Sequence, residues 1–125
     1  MAETFKTADI ALTNSEQTLY TAPASSGAVA IGLSLRVTNI DGTNDDSVTV
    51  TIYETGGSTK KAEIAHTMLV PADSSLELMG NSKIVLEQSE VIKIQGVASS
   101  GDLEAYLSVL EINVLDAEII TRISG

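Results

Sequence analysis

Residues 28–39 read AVAIGLSLRVTN, and this stretch decides the fold class. Apolar side chains occupy every second position through it, which is typical of a β-strand with one buried face. The alternating apolar residues are Val29, Ile31, Leu33, Leu35 and Val37. We predict a half-buried strand here, with these five side chains sharing one face.

The same kind of pattern recurs along the chain. Alternation or short apolar runs predict strands over residues 10–12, 18–21, 47–53, 61–70, 76–78, 84–86, 91–98 and 103–113. Turn-forming residues separate them, and we expect the strand over 28–39 to pair as a hairpin with the next one across residues 40–46. Together they predict an all-β fold, either an antiparallel β-sandwich or a jelly-roll-like barrel of about eight or nine strands.

The length of 125 residues fits one domain with one core. We assign residues 1–113 to the β-sandwich domain. Residues 114–125 form a C-terminal extension, which we predict to be strand-like and packed on the domain or on a neighbouring subunit. Its isoleucines also recur every four residues, as in a helix, but its β-branched side chains favour a strand.

The charge balance excludes several kinds of partner. Seven Lys and Arg stand against seventeen Asp and Glu, which gives a net charge of −10. A surface of this sign repels the phosphates of nucleic acids and of anionic membranes. No stretch approaches the ~20 apolar residues of a membrane span, and the N-terminal residues lack the apolar run of a signal peptide. We expect no nucleic-acid partner, no membrane partner and synthesis in a cytoplasm.

The sequence offers little chemistry for catalysis or metal binding. Cysteine and tryptophan are absent, and the one histidine, His66, lies in the middle of a predicted strand. Asp41, Asp45 and Asp46 crowd one loop and could offer oxygens to Ca²⁺, but the ligand order of an EF-hand is missing and turn formation is the simpler account. The glutamates are spread over separate strands without an apolar pocket. We predict a protein that is not an enzyme and binds no cofactor.

Residues 103–113 are apolar on both faces of the predicted strand. A strand of this kind is covered on both faces, whereas a small sandwich buries one face of each sheet. We therefore predict that its outer face, together with the isoleucine-rich extension, packs against another protein subunit. The predicted interface residues are Tyr106, Leu110, Ile112, Val114, Leu115, Ile119, Ile120 and Ile123.

Four stretches, in their order and spacing, resemble small virion structural proteins of tailed bacteriophages, especially those of aquatic bacteria. They are residues 18–24 (TLYTAPA), 33–43 (LSLRVTNIDGT), 70–76 (VPADSSL) and 101–112 (GDLEAYLSVLEI). The resemblance spans about residues 18–113 and consists of strand and turn signatures. It implies a β-sandwich component of the virus particle, without enzymatic activity.

From the resemblance, the acidic and cysteine-free composition and the apolar excess near the C-terminus, we expect a capsid decoration or cement protein. It would be made in the host cytoplasm, bind the major capsid protein on the outer surface of the phage head and stabilise it. Expected partners are further copies of the chain, with a trimer preferred over a dimer or an array, and the major capsid protein or other virion proteins.

Two alternatives stay open. The first is a structural component of the tail, the neck or the fibre anchor. The second is a lectin-like or Ca²⁺-binding sandwich that uses residues 41–47 and 56–59. Three Tyr, one Phe and no Trp leave few rings on which a sugar could stack.

Overall fold

The structure is a computed structural model, and it describes residues 2–80, 82–97 and 102–113. No helix that could cross a membrane occurs in these ranges. Nine strands are present in them: β1 (Ala2–Ala11), β2 (Gln17–Thr21), β3 (Ala28–Asn39), β4 (Asp46–Tyr53), β5 (Lys60–Val70), β6 (Ser75–Glu77), β7 (Ile84–Leu86), β8 (Val91–Gln95) and β9 (Leu103–Asn113).

The strands form two antiparallel sheets that pack face to face. In the first sheet the order is β1–β9–β3, and the other edge of β3 pairs with the two short strands β6 and β7. In the second sheet the order is β2–β8–β4–β5. The predicted antiparallel β-sandwich of about eight or nine strands is confirmed, and the two sheets stay separate instead of closing into a barrel.

Strand β9 lies at the centre of the first sheet and fixes its core face. It pairs with β1 over ten residues and with β3 over eleven. Its side chains alternate between buried and more exposed positions over most of its length. The core between the sheets is aliphatic, and its largest fully buried side chains include Leu12, Leu35, Leu86, Ile92, Ile94, Leu103 and Leu107.

A β-bulge interrupts the long strand β3. The register with β9 shifts between Gly32 and Ser34, so Leu33 is an extra residue on the β3 side. The buried side chain of Met79 packs against this glycine, so a larger residue at position 32 would require Met79 to move. A Cβ atom at Gly32 would lie 2.7 Å from Met79 Cε, closer than two carbon atoms can approach.

The bulge inverts the alternation of β3, because one added residue exchanges the two faces of a strand. Leu35 and Val37, after the bulge, are fully buried, whereas Val29 and Ile31, before it, are half-buried. The prediction that five alternating apolar residues share one face is therefore wrong. Val29 and Ile31 lie on the outer face of the first sheet.

The loop after β3 carries the chain from the first sheet to the second. The predicted hairpin of these two strands is wrong, because β3 belongs to the first sheet and β4 to the second. The buried side chain of Asn39 holds the crossing in place. Its amide nitrogen donates to the carbonyl oxygens of Asn44 at 3.0 Å and Val70 at 2.9 Å, and its Oδ1 accepts from the backbone N–H of Asp41 at 2.9 Å.

Replacing Leu107 tests the assignment of the core. Its side chain is fully buried on β9, so Leu107→Ala should lower the free energy of unfolding by about 2–5 kcal/mol through lost burial and a residual cavity. Urea unfolding monitored by circular dichroism measures the change. The neighbouring Ser108→Ala, on the outer face, should change it by less than about 0.5 kcal/mol. Equal costs at both positions would contradict the assignment of faces.

Candidate interaction face

The outward side chains of the first sheet form the candidate site. Neighbouring residues of a strand point to opposite faces, so the residues between the buried ones of β9 point away from the core. Tyr106 is 49% exposed, and Leu110 and Ile112 are half-buried. The structure thus brings these three predicted interface residues onto one outer face. The other five, Val114, Leu115, Ile119, Ile120 and Ile123, lie outside the described residues.

Four apolar side chains stand side by side across this face. Phe5 of β1 pairs with Leu110, Leu110 pairs with Ile31 of β3, and Ile31 pairs with Val85 of β7. We call these four residues the apolar row. At its two ends Phe5 is 74% exposed and Val85 is 57% exposed, so these side chains add little to the core of their own domain.

A second line of side chains extends the apolar row towards the end of the sandwich where β9 ends. Ile112 pairs with Glu3 of β1 on one side and with Val29 of β3 on the other. Both Ile112 and Val29 are half-buried. Since two residues along a strand advance it by about 7 Å, the two lines lie within side-chain contact and form one patch.

The opposite half of the same face is polar. Tyr106 of β9 pairs with Asp9 of β1 and with Arg36 of β3, and Arg36 pairs with Glu77 of β6. Asp9, Arg36, Tyr106 and Glu104 line a shallow cavity of about 350 Å³. Tyrosine and arginine are enriched among the residues that dominate binding energy in protein interfaces. This half therefore adds recognition groups to the apolar patch.

On the second sheet, polar side chains around Tyr53 contact one another. There the ammonium group of Lys93 lies 4.6 Å from the ring centroid of Tyr53 and donates to the carbonyl oxygen of Gly57 at 2.8 Å. The hydroxyl of Tyr53 lies 2.9 Å from the carboxylate of Glu16. Polar groups that satisfy one another in this way suit a surface in contact with water.

A polar cluster at one end of the sandwich connects the two sheets. The hydroxyl of Tyr20 on β2 donates to Glu111 on β9 at 2.5 Å, and the ammonium of Lys6 on β1 lies 3.1 Å from the same carboxylate. Burial, followed by the hydrogen bond to Glu111, raises the pKa of Tyr20 well above its ordinary value. Because the contact of Tyr20 with Glu111 joins β2 of the second sheet to β9 of the first, the cluster is a structural link between the sheets.

The aspartates of the loop before β4 are engaged by the backbone. Hydrogen bonds from the N–H groups of Thr43 and then Asn44 lower the pKa of Asp41. Asp45 accepts the N–H of Ala72 at 3.0 Å. Over residues 2–80, 82–97 and 102–113, no group of three or more acidic or histidine side chains could hold a metal ion together. These contacts give the loop aspartates a role in shaping the turn.

The remaining candidates for chemistry are also held by local contacts. The buried carboxylate of Glu90 accepts from the ammonium of Lys61 at 2.6 Å and from the backbone N–H of Glu87 at 2.8 Å. His66 lies on the surface of β5, with its Nδ1 3.1 Å from a carboxylate oxygen of Glu63. Both side chains are thus engaged by groups close to them.

Sequence reasoning did not find Phe5, Ile31 or Val85. The short strand predicted at residues 10–12 begins at Ala2 instead, so Phe5 lies within a paired strand. Ile31 was assigned to the wrong face because of the bulge. The alignment of all three with Leu110 follows from the pairing of non-consecutive strands, and no local pattern in the sequence carries that information.

The chain is similar to known proteins in fold and not in sequence. No protein-family model matches the chain, and no curated protein matches it in sequence. A protein of Bacillus endospore appendages, which form disulfide-linked pili, matches in structure with a TM-score of 0.54 and 19% identity, over 90% of this chain and 87% of that chain.

Chains from infectious bursal disease virus share the fold as well. One from its T13 particle matches with a TM-score of 0.51 and 13% identity, over 90% of this chain and 31% of that chain. One from the Gx strain matches with a TM-score of 0.51 and 17% identity, over 94% and 32%. The chain therefore spans about a third of the length of these viral chains. Its β-sandwich is a fold that also occurs in structural proteins of a spore pilus and of a virus particle.

Removing the hydroxyl of Tyr20 tests the link between the sheets. Tyr20→Phe should lower the free energy of unfolding by about 1–2 kcal/mol, because a partly buried hydrogen bond to a carboxylate is lost. Since the pKa of Tyr20 is higher in the folded chain than its ordinary value of 10.0, its contribution to stability holds below about pH 10 and declines above it. The variant should therefore lose less stability than the original chain between pH 10 and 11, as measured by urea unfolding.

Tyr53→Phe is the matched control for this experiment. It also removes a tyrosine hydroxyl from a glutamate, but that pair is exposed and water replaces the contact. We expect a smaller loss of stability from it at neutral pH. Equal losses in the two variants would show that the contact of Tyr20 with Glu111 stabilises the fold no more than an exposed contact does.

Proposed function

We propose that this chain is a non-enzymatic structural protein of a virus particle, and that it joins other protein subunits through the outer face of the sheet formed by β1, β9, β3 and β7. The apolar row carries the proposal. Its four aligned side chains lie on one of the two outer faces of the sandwich, and two of them are more than half exposed. An apolar patch with a polar neighbour is typical of a protein–protein interface.

Charge gives a second reason to assign contacts to this patch. A net charge of −10 makes copies of the chain repel one another, so they can associate stably only through a face that carries little charge. Glu3 is the one charged member of the two lines of side chains described above. The patch is thus a place where two acidic proteins can meet with few opposing carboxylates.

The size of the face suits a stable contact. Strand β9 has eleven residues and is about 36 Å long, and four adjacent strands are about 19 Å wide. The resulting area of roughly 700 Å² is close to the ~800 Å² that each partner commonly buries in a specific complex. A partner that covers the apolar patch and the polar half together would therefore form an interface of ordinary size.

The comparisons support a role in assembly. The sandwich is shared with a pilus protein and with chains of a virus particle, and the sequence resembles virion proteins of tailed phages over about residues 18–113. We place the chain on the outer surface of a phage head as a decoration or cement protein, bound to the major capsid protein and to further copies of itself, preferentially as a trimer. A place in the tail, neck or fibre anchor is the second candidate.

Replacing the two exposed ends of the apolar row tests the interface. Phe5→Ser together with Val85→Ser should leave the domain folded, because both side chains face outward, and should raise the dissociation constant of self-association at least about tenfold. Sedimentation velocity over a range of concentrations measures the change.

The matched control is Met68→Ser together with Leu69→Ser on β5, which removes two apolar side chains of similar exposure, 48% and 55%, from the second sheet. It should leave association unchanged. A chain that stays monomeric at all concentrations, or equal effects of the two pairs, would count against the proposed face.

Labelling of intact virions tests the location. An antibody against the chain should bind at many positions over the head if the protein decorates the capsid, as seen by electron microscopy with gold labels. Labels at one vertex or along the tail would support the second candidate. Purified virions that lack the chain would refute both.

A further inference from the structure

The chain continues beyond β9 with an apolar segment. Asn113, the last residue of β9, pairs with Ala2 of β1 and with Ala28 of β3. Twelve residues follow it, VLDAEIITRISG, and nearly half of them are large and apolar. The segment therefore starts four residues beyond Leu110, at the edge of the apolar patch.

The sequence opposes a return of this segment onto its own sheet. A two-residue hairpin turn after Asn113 favours residues that accept positive φ, such as Gly, Asn or Asp, but Val114 and Leu115 follow. A returning strand would also find both edges of β9 occupied, since β1 and β3 pair with it up to Asn113. The sequence therefore favours docking of this segment on another copy.

The apolar row alone exposes too little surface to form a stable contact. Its four side chains expose on the order of 300 Å² of apolar surface, well below the ~800 Å² per partner of a stable contact. Twelve residues in extended form reach about 40 Å, whereas the row spans three strand spacings, or about 14 Å. A segment from another copy is thus long enough to cross the whole row and contribute its own apolar side chains.

We propose that residues 114–125 of one copy dock across the apolar row of a second copy. This inference rests on the proposed function, because it takes the row as the assembly face, and it identifies what covers that face. The apolar side chains of the segment, which are Val114, Leu115, Ile119, Ile120 and Ile123, would be buried against Phe5, Leu110, Ile31 and Val85. Copies linked in this way exchange segments, so that each one both donates and receives.

Cross-linking between two single-cysteine chains tests the exchange, because the natural sequence has no cysteine. One full-length chain carries Val85→Cys and the other Ile120→Cys, and the mixture is treated with a short bismaleimide. We expect a strong heterodimer band in denaturing gels. The matched control replaces the first chain with Leu69→Cys, which has a nearly equal exposure of 55% against 57% but lies on the second sheet, and the band should be lost.

A chain that carries both Val85→Cys and Ile120→Cys distinguishes exchange from folding back. When this chain is diluted into an excess of the cysteine-free protein, the exchange predicts that it forms no internal cross-link. An internal cross-link under these conditions would overturn the proposal, because it would place the segment on its own row.

Sedimentation of the same samples separates this proposal from the proposed function. If the cysteine-free chain associates and Phe5→Ser with Val85→Ser weakens it, but the heterodimer band is no stronger than the control, the segment exchange is refuted and the assembly face stands. If the cysteine-free chain does not associate at any concentration, the assembly face itself is refuted.

Discussion

The pairing of β9 with β1 on one side and β3 on the other is the constraint on which the rest of the structure depends. It extends over ten residues on the first side and eleven on the second, so the position of every side chain in three long strands is fixed at once. One consequence is the buried face that carries Leu103, Leu107 and Val109. The other is the opposite face, where the same register aligns Phe5, Leu110 and Ile31 in one line. The core and the proposed interface are two faces of one set of backbone hydrogen bonds.

This arrangement suggests how a small acidic domain can assemble without covalent links. The Bacillus appendage protein that shares the fold comes from disulfide-linked pili, whereas this chain has no cysteine. The subunit contacts that we propose would therefore come from buried apolar area and from polar pairs at the rim. The outer face of the first sheet fits that requirement, since Phe5 and Val85 are more than half exposed on it.

Local patterns in the sequence account for much of the fold. Alternation over 103–113 predicts β9 with its bounds, and the apolar run over 84–86 predicts β7 with its bounds. Both patterns involve only residues that are close together in the chain. The faces of β3 could not be predicted in this way. The bulge at Leu33 exchanges the two faces of β3, and the packing of Met79 beside Gly32, 47 positions away, leaves no local signal in the sequence. The crossing from the first sheet to the second after Asn39 could not be predicted either, since Val70, which accepts a hydrogen bond from Asn39, is distant in sequence.

The residues of the candidate site also fall into two groups, those that a local pattern predicts and those that depend on distant pairing. Tyr106, Leu110 and Ile112 could be predicted because they alternate with the buried residues of one strand. Phe5, Ile31 and Val85 join them through pairing between strands that are far apart in the chain, so their contribution required the structure. Within the described residues the predicted set lies on one strand, and the structure aligns outward apolar side chains of three further strands with it.

The outer face of the first sheet can be tested through its aromatic residue, since Phe5 is the single phenylalanine of the chain. Fluorine NMR of protein labelled with 4-fluorophenylalanine gives one resonance, whose shift between H₂O and D₂O reports contact of the ring with water. We expect this shift in dilute protein, and we expect it to disappear at the concentrations at which sedimentation shows that the protein assembles. A resonance that keeps its full solvent shift in the assembled protein would contradict it.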